Sequence, residues 1–156
     1  MARFRYSMQS ILNIKLKMET QAKQEFSAAK AVLSEEEERL KELRDRKAAY
    51  ERESVSLLEG MEEEDRCLDL QAIKDSRMAI LSMEQRIEGQ KLKVSAAEKK
   101  LEQARVKLTE VMVERKTHET LRDKAFEQFL ADEKRQEGKE VDELTSYTYG
   151  QRTGES

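Results

Sequence analysis

Two long heptad stripes of apolar residues, one in each half of the sequence, constrain its fold more than any other feature. An apolar side chain every three and then four residues keeps one side of a helix facing a neighbouring helix, as in a coiled coil. Eleven of sixteen seam positions are apolar in the first stripe and ten of twelve in the second. The first stripe runs through Met8, Leu12, Lys15, Glu19, Ala22, Phe26, Ala29, Leu33, Glu36, Leu40, Leu43, Lys47, Tyr50, Ser54, Leu57 and Met61. The second runs through Ile73, Ser76, Ile80, Met83, Ile87, Gln90, Val94, Ala97, Leu101, Ala104, Leu108 and Val111. Each helix therefore needs a partner helix.

The two stripes fit each other when they pair antiparallel, with the numbers of facing residues adding to 130. In that register a large side chain meets a small one in four successive layers, which fills the space between the helices. The layers are Ala22 with Leu108, Phe26 with Ala104, Ala29 with Leu101 and Leu33 with Ala97. We therefore predict an all-α fold, a long antiparallel two-helix coiled-coil hairpin.

Turn chemistry places the fold-back near Asp65, where Gly60 is suited to end the first helix and Asp69 to cap the second. We predict one coiled-coil domain that covers residues 1–156. Within it, helix one spans about 5–62, the turn about 62–69 and helix two about 70–145. The turn-rich residues after this, about 146–156, are predicted to be a disordered tail.

Helix two is predicted to overhang the start of helix one, because residue 130 has no facing residue in this register. Apolar residues on the overhang then lack an intramolecular partner, and such exposed groups indicate a docking surface. They are Phe126, Phe129, Leu130, Val141 and Leu144.

Like charges meet in this register near the open end of the hairpin, where helix one begins. Lys15 faces Arg115, and one heptad further along helix two another cation, Arg122, faces the apolar Met8 on the seam. Burying two cations together is costly. Four arrangements remove the cost: the helices splay apart, Glu19 and Glu114 neutralise the cluster, a partner supplies acidic groups, or the long side chains extend into solvent.

Composition narrows the class of protein. The chain has 156 residues, no proline and 40% charged residues, which is typical of coiled coils. Its formal charge of −3 gives no field that would draw it to nucleic acid, although Arg3, Arg5 and Lys17 precede the first acid and residues 62–65 are all acidic. No apolar run approaches the ~20 residues that span a bilayer, and the N-terminus lacks a signal-peptide core. We expect a cytoplasmic protein.

Candidate chemical groups are few. The single histidine, His118, has no second ligand at metal-binding spacing, so we expect it to pack or cap. The single cysteine, Cys67, lies beside the acidic turn, which disfavours its thiolate and fits a reducing compartment. No phosphate loop or nucleophile motif is present. We expect no enzyme activity, cofactor or metal.

The basic N-terminal stretch has an apolar side, formed by Ile11, Ile14 and Met18. Such a side can touch acidic lipids. It can equally be the plain start of a coiled coil.

Three segments resemble the flagellar FliJ proteins over nearly the whole chain. They are the opening Phe4, Tyr6, Met8, Gln9, Ile11, Leu12 and Lys15, the stripe Leu40, Leu43 and Tyr50, and the ending Glu137, Lys139, Asp142 and Glu143. The resemblance implies a small cytoplasmic component of the flagellar type III export apparatus that supports flagellum assembly and motility. It also implies a hairpin similar to the stalk of the rotary ATP synthase γ subunit.

The resemblance further implies three partners: the hexameric export ATPase, whose pore receives the open end, the export gate protein FlhA, and empty export chaperones. Through them the protein would lie peripherally at the cytoplasmic face of the inner membrane. ATPase contact would fall on Arg3, Arg5, Arg122, Lys124, Phe126, Phe129, Leu130, Lys139, Asp142 and Glu143. Gate contact would fall on Arg39, Leu43, Arg46 and Tyr50, although Arg46 stands where some relatives have an aromatic residue.

Two other classes compete with this interpretation. A generic coiled-coil scaffold or holdase chaperone has the same seam. A nucleic-acid-binding hairpin lacks support, because the chain has no aromatic stacking platform and no sustained basic stripe. An intact ATP synthase stalk subunit is excluded by length, since that protein carries a further domain between its helices.

Overall fold

The structure, a computed structural model, describes residues 3–59 and 70–154. Most of these residues lie in two long α-helices. Helix α1 spans Gln9–Glu59 and helix α2 spans Leu70–Gly154. They pack against each other as a helical hairpin, with no strand in the described ranges. The predicted all-α antiparallel hairpin is confirmed.

Helix α1 begins at Gln9, later than the predicted start near residue 5. The Gln9 amide donates to the Tyr6 carbonyl at 3.1 Å, and the Leu12 amide donates to the Met8 carbonyl at 3.1 Å. These bonds supply carbonyl acceptors for the first helical amides, which have none inside the helix. Residues 3–8 therefore form an irregular lead-in segment.

Helix α2 continues to Gly154, so the prediction of a disordered tail is wrong for residues 146–154. No proline stands in this stretch to break the helix, and its polar side chains form hydrogen bonds within the helix. The Thr145 and Thr148 hydroxyls each donate to the carbonyl four residues earlier, both at 2.8 Å. The Gln151 amide donates to the Tyr147 hydroxyl at 3.0 Å, an i,i+4 pair.

Several predictions fall outside the described residues. They concern the turn at 62–69 with its acidic run, the Gly60 and Asp69 helix signals, the seam residue Met61, and Cys67.

The core is the contact line between the two predicted stripes. Among the described residues, every buried one lies on a stripe: Leu12, Glu19, Ala22, Ser76, Met83, Ile87, Gln90, Ala97 and Val111. The remaining first-stripe positions from Lys15 to Leu57 are half-buried, and residues on other sides of α1 in that range are exposed. The heptad period therefore identified the packing face of both helices.

The helices divide into two compact units, each containing part of both. The first unit is Met1–Gln21 with Thr109–Ser156, and the second is Ala22–Leu108. In the second unit the Gln90 amide donates to the Glu36 carbonyl at 3.0 Å and to the Glu36 carboxylate. The Ser76 hydroxyl donates to the Tyr50 carbonyl at 3.4 Å. These pairs agree with the predicted register, since contacts in a seam connect residues up to a turn from the facing position.

The pair of Gln90 and Glu36 selects this register over its neighbours. A slip of one heptad would place Gln90 beside Ala29 or Leu43. Neither residue has a carboxylate that could accept a hydrogen bond from the Gln90 amide. A buried polar group that loses its partner costs about 1–3 kcal/mol. A single polar layer of this kind fixes register in coiled coils at some cost in stability.

We predict that an Ala29→Cys/Leu101→Cys variant in a Cys67→Ser background will form a disulfide within one chain. The register brings these two positions to the same layer. Non-reducing electrophoresis at low protein concentration measures the product. Disulfides formed only between chains would contradict the hairpin.

Slipped registers provide the matched controls. Ala29→Cys combined with Val94→Cys or with Leu108→Cys should crosslink poorly, because each pair lies one heptad out of register. Adding Glu36→Leu and Gln90→Leu to these controls should increase their crosslinking, since the polar layer is gone. Equal crosslinking with and without the polar layer would show that Glu36 and Gln90 do not set the register.

Candidate interaction surfaces

Ion pairs across the helices neutralise the cations at the open end, which here means residues 3–21 and the facing stretch of α2, residues 109–130. The Lys15 ammonium lies 2.7 Å from the Glu114 carboxylate. The Arg115 guanidinium lies 2.6 Å from Glu19 and 2.8 Å from Glu119. Of the four arrangements that the sequence left open, the one with Glu19 and Glu114 is therefore present.

Burial makes these two ion pairs different. Glu19 is buried, with 6% of its surface exposed, and lies on the seam between Leu12 and Ala22. Its bridge to Arg115 is partly shielded from water, so it is screened less than a surface pair. Hydrogen bonds from Arg115 to Glu19 and Glu119 raise the pKa of Arg115.

Glu114 is exposed, and the hydrogen bond from Lys15 lowers the pKa of its carboxyl group. A carboxyl group whose pKa is lower in the folded state stabilises the fold above its unfolded-state pKa. That contribution disappears as the pH falls through the folded-state pKa. The Lys15 bridge is therefore intact at neutral pH and lost in acid.

We predict that Arg115→Leu alone will destabilise the protein, because it leaves the buried Glu19 carboxylate without the guanidinium. The loss should be about 1–3 kcal/mol. A Glu19→Leu/Arg115→Leu double variant should recover most of it, since apolar residues often replace a buried ion pair without loss. Urea unfolding followed by circular dichroism measures both.

The control is Arg105→Leu, which removes an exposed cation that pairs with Glu102 on the same helix. Exposed pairs contribute little, so its unfolding midpoint should stay at the wild-type value. If the double variant were no more stable than Arg115→Leu, the seam would require the charged pair itself.

Three phenylalanine rings meet where the lead-in segment crosses α2. The Phe4 ring lies edge-on to Phe126 with centroids 5.1 Å apart, and 5.4 Å from the Phe129 centroid. The Phe126 and Phe129 rings are stacked at 6.4 Å. The prediction that Phe126 and Phe129 lack an intramolecular partner is therefore wrong. The contact of Phe4 with Phe126 could have been predicted from the sequence, because the register pairs residue 4 with residue 126.

Four cations surround these rings in the sequence, namely Arg3, Arg5, Arg122 and Lys124. All four are exposed, and none forms an ion pair with another described residue. Phe126 keeps 43% of its surface exposed despite its ring contacts. We call the three rings and four cations the aromatic–cation cluster. Aromatic and arginine side chains are enriched where proteins bind one another.

We predict that Phe4→Ala will loosen the lead-in segment while leaving most of the helix content intact. Aromatic pairs contribute about 0.5–1.5 kcal/mol beyond their buried area. Amide hydrogen exchange should therefore accelerate at residues 9–12, the first turn of α1. Tyr147→Ala removes an exposed aromatic elsewhere on α2 and serves as the control. Unchanged exchange in the Phe4 variant would show that its ring contacts do not hold this segment.

Beyond the cluster, α2 presents an apolar face without cover from α1. Leu130, Val141 and Leu144 are exposed, and so are the charged candidates Lys139, Asp142 and Glu143. A shallow depression of about 340 Å³ follows this side of the helix. It is lined by Val141, Leu144, Thr145, Thr148, Tyr149 and Arg152.

The candidate gate residues lie in the second unit. Leu43 and Tyr50 are half-buried on the seam, so part of each side chain remains accessible. Arg46 is exposed. Arg39 is held on its own helix, with its guanidinium 2.7 Å from Glu35 and 3.5 Å from Glu36. Arg46 is therefore the cation of this group that has no ion-pair partner among the described residues.

His118 packs at the open end, as the sequence predicts. Its Nδ1 atom and the Tyr6 hydroxyl are buried without a hydrogen-bond partner among the described residues. In the same ranges, no three His, Cys, Asp or Glu side chains are grouped as a metal site would require. Neither described helix contains an apolar stretch long enough to cross a membrane.

Comparisons with known proteins agree with this architecture. A family model described as "Flagellar FliJ protein" matches residues 4–154. A solved structure described as a putative YscO homolog from Chlamydia trachomatis superimposes with a TM-score of 0.83 at 24% identity. The alignment covers 99% of this chain and 100% of that one, so the two share a fold. No curated protein sequence matches the chain.

Proposed function

The chain belongs to the flagellar FliJ family, and from that membership we propose that it serves the flagellar type III export apparatus as a non-enzymatic binding component. In this role it links the hexameric export ATPase to the export gate protein FlhA and receives empty export chaperones. It stays at the cytoplasmic face of the inner membrane through these partners. The observation that carries the proposal is the family match over nearly the whole chain.

The aromatic–cation cluster is the surface we assign to the ATPase. Phe126 offers an exposed aromatic anchor, and Arg3, Arg5, Arg122 and Lys124 supply positive charge around it. Charge of one sign steers a partner with acidic groups and makes the contact sensitive to salt. The exposed residues of the overhang, from Leu130 to Leu144, extend the same contact along α2.

The surface assigned to the gate consists of Arg39, Leu43, Arg46 and Tyr50. These residues recur along α1 in the second unit, with Leu43 and Tyr50 two turns apart. Their partly covered side chains leave apolar edges beside the exposed guanidinium of Arg46. Apolar contact flanked by an arginine is a common composition for a protein interface.

Both assigned surfaces involve α1 or the segment that leads into it. Helix α1 runs from Gln9 to Glu59 without interruption. A binding component without chemistry of its own can transmit an ATP-driven change only by holding two partners at once. A continuous helix that carries both contacts is suited to that task.

We predict that the two contacts can be removed separately. Arg3→Glu/Arg122→Glu should weaken binding to the purified export ATPase by about tenfold, equal to about 1.4 kcal/mol, and should leave gate binding unchanged. Arg46→Glu should have the opposite selectivity. Lys93→Glu/Lys100→Glu reverses two exposed cations of the second unit and should change neither. Interferometry with immobilised full-length protein measures all affinities at two salt concentrations.

ATP hydrolysis provides the functional readout. The wild-type protein should stimulate the ATPase from the same cell or drive its ring assembly, and added salt should reduce the effect. A truncation that removes residues 127–156 should abolish stimulation while the remaining helix content persists. An ATPase that neither binds the wild-type protein nor changes its rate would favour the generic scaffold.

A further inference from the structure

An apolar strip runs along one side of α1 at the open end and takes no part in the seam. Ile11, Ile14 and Met18 recur at intervals of three and four residues, so they lie on one side of the helix. They are 37%, 55% and 38% exposed. Ile11 and Met18 lie one turn before and one turn after Lys15. The strip therefore borders the Lys15–Glu114 bridge on its outer side.

Helix α2 adds one residue to the same side. Glu114 marks this side of α2, because Lys15 binds it at 2.7 Å. Leu121 follows Glu114 by two turns and therefore shares its side of the helix, and it is 45% exposed. We call Ile11, Ile14, Met18 and Leu121 the lateral strip.

Positive charge without internal partners accompanies the strip. In residues 3–21 and 109–124, the cations that form no ion pair with a described residue are Arg3, Arg5, Lys17, Lys116, Arg122 and Lys124. Over the whole open end, residues 3–21 and 109–130, the acids without such a pair are Glu110, Asp123 and Glu127, three against six cations. Glu114, Glu19 and Glu119 are already engaged by Lys15 and Arg115. The unengaged charge at this end is therefore positive.

We propose that the lateral strip docks directly on a membrane surface that contains anionic lipids. The aliphatic side chains enter the boundary between headgroups and acyl chains, and the neighbouring cations pair with lipid phosphates. A helix with an aliphatic side and flanking Lys and Arg lies in the plane of such an interface. Each cation near an anionic surface strengthens binding by roughly fivefold.

The chemistry of the strip favours lipid over a protein partner. Three of its four members, Ile11, Ile14 and Leu121, are aliphatic and the fourth, Met18, is a thioether, whereas protein-binding surfaces are enriched in aromatic residues, which here belong to the separate cluster around Phe4. The strip also follows the outside of two packed helices, where a flat bilayer surface meets it without a groove. This contact requires neither the ATPase nor the gate, so it can be tested separately from the proposed function.

The test is flotation of the full-length protein with vesicles. Vesicles made of equal parts phosphatidylcholine and phosphatidylglycerol should carry the protein upward, and pure phosphatidylcholine vesicles should not. Added salt should reduce the floated fraction, because the cations supply much of the attraction. Ile14→Ser/Met18→Ser should reduce binding to the anionic vesicles by about tenfold. Lys17→Glu/Lys124→Glu should do the same.

The matched control is Leu81→Ser/Leu92→Ser, which removes two exposed aliphatic side chains from α2 in the second unit. Its binding should equal that of the wild type, and circular dichroism should show the same helix content for all variants. Three results would overturn the proposal: no binding to anionic vesicles, equal binding to pure phosphatidylcholine, or binding that the lateral-strip variants leave unchanged.

Discussion

Within residues 3–59 and 70–154, each helix packs against a single neighbouring helix, and that constraint governs the rest of the described structure. A helix in a globular core buries side chains on several sides. Here burial from solvent is concentrated on one stripe of each helix. Among the described residues, Leu12 is the one large side chain that is almost wholly buried, with 1% of its surface exposed. Stability therefore accumulates from many partly covered layers, and the entropy of ordering two long helices opposes it.

In such a thin core, polar seam residues have more influence than they would in a larger one. Glu19, Ser76 and Gln90 are buried, and each bonds to a group on the opposite helix. These bonds add little net stability, because the same groups bond well to water in the unfolded chain. They instead disfavour other registers of the two helices, because a misaligned pairing would bury the same polar groups without hydrogen-bond partners. The seam therefore contributes modest stability but specifies the register of the two helices.

The heptad period predicted the packing faces well, because a helix side that recurs every seven residues can be identified without coordinates. Prediction failed where the chain departs from this period. The contact of Phe4 with Phe126 was missed because the predicted helix one began near residue 5, so residue 4 was left out of the seam although the register pairs it with residue 126. The helical ending was missed because the turn-forming composition of 146–154 predicted a tail, although no proline interrupts α2 there. For Lys15, the register gave the facing residue but not the side-chain direction, so several arrangements stayed open.

The position of Phe4 has a consequence for any protein that uses Phe126 as an anchor. A partner that touches only the exposed part of the ring binds the protein as it stands. A partner that surrounds the whole ring must first displace Phe4, so its apparent affinity is its intrinsic affinity multiplied by the fraction of molecules in which Phe4 is released. The lead-in segment then acts as an internal competitor, present at a fixed effective concentration however dilute the protein becomes.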